Sequence, residues 1–195
     1  MSFNQYKNVA QVQQEFNIKY QEDNFLQISS FKPRQSFLDD LKFALESLDV
    51  FSSEAARCEV IIFPVLKEVY KHYATNYELW IQKTIFCDEL LNGVPDYMIS
   101  KRSDLGKTIL ELPIVMIVEA KKNDFEQGWG QCLAELIAAR ELNKTGKVYG
   151  IVTDGKYWEF GYLLDDVFTK NLHSLSLDRL TEELLGGIDF IFKQL

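Results

Sequence analysis

The sequence lacks the cysteine and histidine patterns that hold small domains together through disulfides or zinc. Its three cysteines, Cys58, Cys87 and Cys132, are far apart in the chain and form no C-x-x-C pair. Its two histidines, His72 and His173, are too few for a histidine-rich metal site. These absences exclude a zinc ribbon and a disulfide scaffold, and they predict reduced thiols in a cytoplasmic protein.

Long hydrophobic runs are also absent. No apolar stretch approaches the roughly 18 residues that a membrane-spanning helix needs. The first residues, MSFNQYKN, lack the basic and then apolar pattern of a signal peptide. We therefore expect a cytoplasmic protein with no membrane partner.

Basic residues are in the minority. The chain has 21 Lys and Arg against 29 Asp and Glu, which gives a formal net charge of −8. A generally basic nucleic-acid-binding surface is excluded, because such surfaces are built from Lys and Arg. The charge count does not exclude a local basic groove, or a metal ion that bridges carboxylates to phosphates.

The length and composition fit one folded domain. The chain has 195 residues, of which 47% are hydrophobic and 13% aromatic, enough to supply a core. Helical and strand patterns follow the order α–α–α–β–β–β–α–β–β–α, with no repeat and no Pro- or Gly-rich linker. This order predicts one compact α/β domain over 36–195, preceded by an N-terminal helical appendage over 1–35.

Five segments have the apolar spacing of helices. They are an N-terminal helix with the stripe Val9, Val12, Phe16 and Tyr20, and helices over about 36–48, 53–73, 125–142 and 177–195. Pro64 lies inside the third segment. We expect it to kink that helix, because proline removes a backbone donor.

Strands are expected over 77–86, 94–99, 114–118, 147–152 and 157–164. The run 114–118 is continuously apolar, which is typical of a central strand buried on both faces. Asp154 and Gly155 separate the last two strands and predict a type I′ hairpin turn.

Charged residues follow the central strand directly. Glu119 and Lys121 are two positions apart, so in a strand their side chains lie on the same face. If the strand after Pro95 pairs antiparallel with the central strand, Asp96 comes within reach of Glu119. Two carboxylates and a lysine at a sheet edge can form a Mg²⁺ site for phosphodiester hydrolysis. The metal would lower the pKa of a bound water, and the lysine would orient or deprotonate that water.

Pro95-Asp96, followed by an apolar strand that ends in Glu119-Ala120-Lys121, resembles the signature of the PD-(D/E)XK nuclease superfamily. Further likeness lies in four flanking segments, 53–57, 62–66, 130–134 and 149–155. Together these segments are similar to the nuclease domains at the N-termini of type I restriction subunits and to their stand-alone relatives. The likeness covers roughly residues 50–164.

The resemblance implies a restriction endonuclease-like fold: a central mixed β-sheet flanked by helices, with extra N-terminal helices and a C-terminal helix. It implies that Asp96 and Glu119 bind Mg²⁺ or Mn²⁺ and that Lys121 is catalytic. Glu54 would be the helix-borne acid that completes the metal shell. Gln131 matches a helical glutamine that some branches of the superfamily place near the active site. The implied activity is that of a metal-dependent nuclease with DNA as its substrate.

Two features depart from the superfamily pattern. Gly128 and Gly130 lie near the start of the helix after the lysine, and they should loosen its first turn. Glu135 stands where the Q-x-x-x-Y variant has a tyrosine, which leaves the role of Gln131 open.

Each candidate residue also has a purely structural interpretation. Asp96 could shape a turn, and Glu119 and Lys121 could form a solvated ion pair. Glu54 could stabilise a helix N-terminus, and Gln131 could be a packing amide. A second hypothesis is therefore a catalytically silent module of the same fold that binds nucleic acid or a protein partner, which the net charge of −8 suits. A third is an interaction protein whose N-terminal helix mediates a homodimer or contacts a partner subunit.

Overall fold

A mixed β-sheet of eight strands forms the centre of the computed structural model, which describes residues 3–144, 146–177 and 181–195. Helices cover both faces of this sheet, and apolar side chains fill the space on each side. The predicted architecture of a central mixed sheet flanked by helices is confirmed.

The helices are α1 (Val9–Phe16), α2 (Gln35–Ser47), α3 (Glu54–Arg57), α4 (Phe63–Tyr70), α5 (Phe125–Asn143) and α6 (Thr181–Gln194). A 3₁₀ turn at Phe3–Gln5 and a π turn at Cys58–Ile62 accompany them. In the part of the chain that the structure describes, no helix has both the length and the apolar character to cross a membrane.

The strands are β1 (Lys19–Asp23), β2 (Tyr77–Ile81), β3 (Ile85–Phe86), β4 (Asn92–Gly93), β5 (Tyr97–Lys101), β6 (Glu111–Ala120), β7 (Val148–Thr153), β8 (Tyr157–Leu164), β9 (Val167–Asn171) and β10 (Leu175–Ser176). The large sheet has the order β1-β9-β8-β7-β6-β5-β2, with β10 beside β8, while β3 and β4 form a separate pair. β6 runs antiparallel to β5 and parallel to β7. The end of β6 therefore lies beside the start of β5 and the end of β7.

β6 is buried on both faces, as its apolar run predicted. Met116 and Val118 belong to the core that packs against α2, α4 and α6. Ile117 belongs to the second core, which packs against α1 and α5. The strand that carries the candidate residues is thus held between the two helical layers.

The first helix, α1, is shorter than the helix that its apolar residues predicted. Asn8 caps its start by accepting a hydrogen bond from the backbone N–H of Gln11 at 2.9 Å. Asn17 adopts the left-handed conformation, with φ of 54°, and ends the helix after Phe16. Tyr20 consequently lies in β1 and not on the helix, which corrects the prediction for this residue.

β1 joins the edge of the main sheet. It pairs parallel with β9, so that residues 19–23 face 167–171. Val12 and Ile18 are buried in the core beneath the same sheet. Residues of the predicted N-terminal appendage therefore share a sheet and a core with the rest of the chain.

The helix predicted over 53–73 is present as three consecutive parts. α3 leads into the π turn and then into α4, and Pro64 lies in the first turn of α4. In the π turn, the N–H of Phe63 donates to the carbonyl of Cys58, five residues earlier. A widened turn thus ends two residues before Pro64, which cannot donate, and the kink expected at Pro64 stays a prediction.

Helix α5 and strands β5, β6, β7 and β8 overlap their predicted segments. The strand predicted over 77–86 is divided, because β2 ends at Ile81 and Ile85–Phe86 belongs to the separate β3–β4 pair. The turn from β7 to β8 also differs from its prediction. The carboxylate of Asp154 accepts hydrogen bonds from the backbone N–H groups of Lys156 and Tyr157, at 2.9 and 2.7 Å. Thr153 pairs with Trp158, which leaves four residues in the connection and makes it longer than a type I′ turn. Of the helix predicted over 177–195, residues 178–180 lie outside the described residues.

Asp189 connects α6 to two other parts of the fold. Its buried carboxylate accepts hydrogen bonds from the Lys193 ammonium at 2.6 Å, from the Ser29 hydroxyl and from the Tyr73 hydroxyl at 2.6 Å. Burial alone would raise the pKa of Asp189, but these donors outweigh it and keep the pKa below its ordinary value. The segment before α2 and the turn after α4 are thereby tied to the C-terminal helix.

We expect Asp189→Asn to lower the free energy of unfolding by about 1–3 kcal/mol at pH 7, because an amide cannot serve three donors as an anion does. Since the folded-state pKa lies below the unfolded value of about 3.9, the contribution is present above that value and is lost as the pH falls through the folded-state pKa. Urea unfolding at pH 7 and pH 3 should show the difference between variant and wild type becoming smaller at pH 3. Glu183→Gln, exposed on the same helix, is the control. An equal loss in both variants would disprove the specific role of Asp189.

Candidate active site

The pairing of β5 with β6 brings Asp96 to the end of β6. Tyr97 faces Val118 in the antiparallel register, so the residue before β5 lies beside Glu119. The backbone N–H of Ala120 donates a hydrogen bond of 2.8 Å to Oδ2 of Asp96. The predicted approach of the two strand ends is confirmed.

Glu119 and Lys121 form a close pair, as their spacing in the strand predicted. Nζ of Lys121 lies 2.6 Å from Oε1 of Glu119. The side chain of Glu119 is 2% exposed and that of Lys121 is 15% exposed. The pair is therefore not a solvated ion pair. Of its two side chains, Lys121 is the more exposed and faces the opening of the site.

The donor set of the site fits a divalent cation. Oε2 of Glu119 is buried and has no hydrogen-bond partner in the described residues, an arrangement that costs free energy unless a ligand binds there. Glu119 and Asp96 supply anionic oxygens, which are the ligands that Mg²⁺ and Mn²⁺ prefer. Within 3–144, 146–177 and 181–195, no three His, Cys, Asp or Glu side chains form a group that could hold a metal ion. The remaining ligands of a metal bound here would be water and substrate oxygens.

Crowded acids dominate the electrostatics of the site. Burial, and then the charge of Asp96, raises the pKa of Glu119 to about 8 against the opposing effect of Lys121. Burial also raises the pKa of Asp96, although the hydrogen bond from Ala120 acts in the other direction. Burial would lower the pKa of Lys121, but the neighbouring Glu119 outweighs it and the pKa is raised. A divalent cation would relieve this excess of negative charge.

Glu54 lies at the rim of this cluster. It is the first residue of α3, and Ser53 caps the helix by accepting a hydrogen bond from the backbone N–H of Ala56 at 3.0 Å. Its side chain is exposed, yet its charge contributes to the raised pKa values of Asp96 and Glu119. The position suits the first turn of a helix, and a part in the metal shell stays a prediction.

Glu135 is a site acid whose importance the sequence did not reveal. It is fully buried on α5, and burial, followed by the charges of Glu119 and Asp96, raises its pKa well above the ordinary value. Nε2 of Gln131 lies 3.4 Å from its Oε1, within α5. Gln131 is thus a buried partner of Glu135, and its accessory role stays a prediction. The overlooked signal is an i, i+4 polar pair inside 128–139, a segment that is otherwise apolar and entirely buried.

The glycines of α5 provide close packing, and the expected loosening of the first turn is not observed. A Cβ at Gly128 would lie 2.6 Å from Cγ1 of Val152 and 3.1 Å from Cγ of Lys121. A Cβ at Gly130 would lie 2.6 Å from the backbone nitrogen of Asn8. Gly128 therefore allows α5 to pack directly against the aliphatic part of Lys121 and helps to position its ammonium group.

A scan against known protein families finds no match to this chain, and a search of curated proteins finds no similar sequence. The chemistry of the site is therefore the basis for assigning a function.

We expect Glu135→Gln to raise the free energy of unfolding more at pH 8 than at pH 5. A carboxyl with a raised folded-state pKa stabilises the fold most at low pH. That contribution is lost as the pH rises above the unfolded value of about 4.3 towards the folded-state pKa. Glutamine stays neutral, so urea unfolding of the variant should show a flatter pH dependence. Glu126→Gln, exposed on the same helix, should keep the wild-type dependence. Identical slopes for Glu135→Gln and wild type would argue against a neutral buried acid.

We expect Gly128→Ala to lower the free energy of unfolding by about 1–2 kcal/mol, because overpacking exceeds the gain in helix propensity. The double variant with Val152→Ala should lose less than the sum of the two single variants, since the smaller residue makes room for the new methyl group. Urea unfolding of the four proteins measures this coupling. If the free-energy losses of the two single variants simply add, the contact with Val152 is not the cause of the lower stability.

Proposed function

We propose that this chain is a metal-dependent nuclease of the PD-(D/E)XK type that hydrolyses phosphodiester bonds, with DNA as its substrate. The observation that carries the proposal is the convergence of Asp96, Glu119 and Lys121 at the ends of two paired strands. The central mixed sheet between two helical layers supports a restriction endonuclease-like core.

Asp96 and Glu119 would hold Mg²⁺ or Mn²⁺, with Glu54 at the rim as an additional acid. When bound, the metal would lower the pKa of a water ligand and neutralise charge that develops on the phosphate. Glu119 is fixed by its buried position and by Lys121, so its free oxygen is preorganised for a ligand.

Lys121 would act from the open side of the site. Its raised pKa keeps the ammonium protonated at neutral pH, so it can donate hydrogen bonds to a phosphate oxygen or to the attacking water. Its contact with Glu119 holds the charge in place before the substrate arrives. This preorganised positive charge would stabilise the negative charge of the transition state.

We expect Lys121→Ala, Asp96→Asn and Glu119→Gln each to reduce DNA cleavage by about 10²-fold or more, the effect of removing one preorganised charge from an active site. Cleavage would be measured on end-labelled single-stranded and duplex DNA with Mg²⁺ or Mn²⁺, with RNA as a further substrate. Lys42→Ala, whose side chain is 74% exposed on α2, is the control and should leave cleavage unchanged. Thermal unfolding would establish that each variant is folded.

Calorimetric titration of Mg²⁺ and Mn²⁺, with and without a short DNA, completes this test. Metal binding should require both Asp96 and Glu119. Full cleavage activity of Lys121→Ala would rule out the mechanism. DNA binding by the wild type without any cleavage would instead favour the catalytically silent module.

A further inference from the structure

A pocket of about 390 Å³ lies at the same end of the sheet as the candidate active site. Its lining includes Asn123, two residues after Lys121, and Asp154, which follows β7. The backbone N–H of Lys121 donates to the carbonyl of Thr153 at 2.9 Å, so the two loops are adjacent. Two residues of chain span at most about 7 Å, which places this pocket next to the lysine.

Apolar side chains form most of the wall. Leu45, Phe51 and Leu177 line the pocket. Phe51 is 37% exposed and Leu45 is 39% exposed, although both are large hydrophobic residues. An exposed aromatic ring in a concave site offers a stacking surface to a flat ligand.

Arg57 holds the wall in a fixed position. It is 5% exposed, and its guanidinium group donates to the carbonyls of Asp154 at 2.8 Å and of Phe51 at 3.1 Å. The carbon of the same group lies 5.2 Å from the centroid of the Phe51 ring. A buried cation thus joins both sides of the pocket, so the pocket is formed before any ligand binds.

Polar groups at the edge define the chemistry of the ligand. Asn123 and Lys156 are exposed and line the pocket. An amide both donates and accepts hydrogen bonds and so matches the edge of a base, whereas an ammonium group matches a phosphate. Arg57, Lys156 and Asp154 together carry one positive charge, on a chain whose net charge is −8. An aromatic wall, one amide and a local positive charge suit a nucleobase with its attached phosphate.

We propose that this pocket binds an unpaired nucleobase next to the phosphate at Lys121, with Phe51 stacking on the base. The inference rests on the proposed nuclease function and narrows its substrate. Bases inside a duplex are stacked on one another and cannot enter a pocket. The substrate is therefore single-stranded, or it has a nucleotide turned out of the helix beside the cut. Asn123 contacts the base edge, and Lys156 contacts the flanking phosphate.

Filter binding to the Lys121→Ala chain in Mg²⁺ tests the pocket without cleavage. The probes are an end-labelled single strand, the same strand with abasic sugars, its duplex, and that duplex with one bulged base. We expect the single strand to bind at least about 10-fold more tightly than the abasic strand and the duplex, since stacking contributes about 1–3 kcal/mol per base. If the bulged duplex binds tightly, the substrate is a duplex with a turned-out base. If the bulged duplex binds weakly, the substrate is a single strand.

A matched pair of phenylalanine variants, made in the same Lys121→Ala chain, tests the wall. Phe51→Ala should weaken single-strand binding by about 5- to 150-fold, the loss of one stacked base. Phe43→Ala removes a ring that is 65% exposed on α2 outside the pocket and should change binding less than about twofold. Affinity for the abasic strand should be the same in both.

Apart from cleavage, three results would overturn the pocket assignment. The first is equal affinity for the single strand, the abasic strand and the duplex. The second is an equal effect of Phe51→Ala and Phe43→Ala on single-strand binding. The third is a Phe51→Ala variant whose molecular mass in solution changes while its DNA binding does not. The last result would assign the apolar wall to contacts between copies of the chain. Cleavage by the otherwise wild-type chain is a separate readout: base-dependent binding without cleavage overturns the nuclease, and cleavage unaffected by Phe51→Ala overturns the pocket.

Discussion

From Ile114 to Ala120, β6 is buried on both faces, between the two helical layers. A strand between two helical layers has no freedom to shift, because a slip of one residue would exchange its two core faces. Pairing with β5 then fixes Asp96 at the strand's end, where Ala120 donates to its carboxylate. Glu119 and Lys121 leave the same strand on one face. A rigid scaffold thus sets the position of all three groups.

This cluster of buried acids lowers the stability of the fold. Glu119 and Glu135 are both buried acids with raised pKa values, and each has an oxygen without a partner in the described residues. Such groups destabilise a folded protein unless a ligand satisfies them, and they concentrate at functional sites. Two buried acids elsewhere in the described residues, Glu68 and Asp189, are fully paired. Glu68 accepts from the guanidinium group of Arg34, and Asp189 accepts from three donors. The contrast sets the β6 cluster apart from these two ion-paired acids.

The acidity of the chain and its proposed substrate are compatible because charge acts locally. Asp96 and Glu119 do not themselves attract a phosphate, and a bound metal would supply the positive charge that does. The neighbouring pocket adds an aromatic wall at Phe51 and a positive charge at Lys156. Affinity would then come from a metal bridge and from base stacking instead of a basic surface, and this combination favours unpaired nucleic acid over duplex.

The central strand, the main helices and the meeting of Asp96 with Glu119 could be predicted from the sequence, because they follow from local periodicity and from the pairing of adjacent strands. It could not show that Lys19–Asp23 is a strand, since every residue of β1 is exposed and only pairing with β9 defines it. It also could not show the closeness of Glu135 to the site, or the contact of Gly128 with Lys121. Those features depend on how α5 packs across the sheet. Contacts between distant segments leave no periodic pattern in the chain, so these features become visible only in the folded structure.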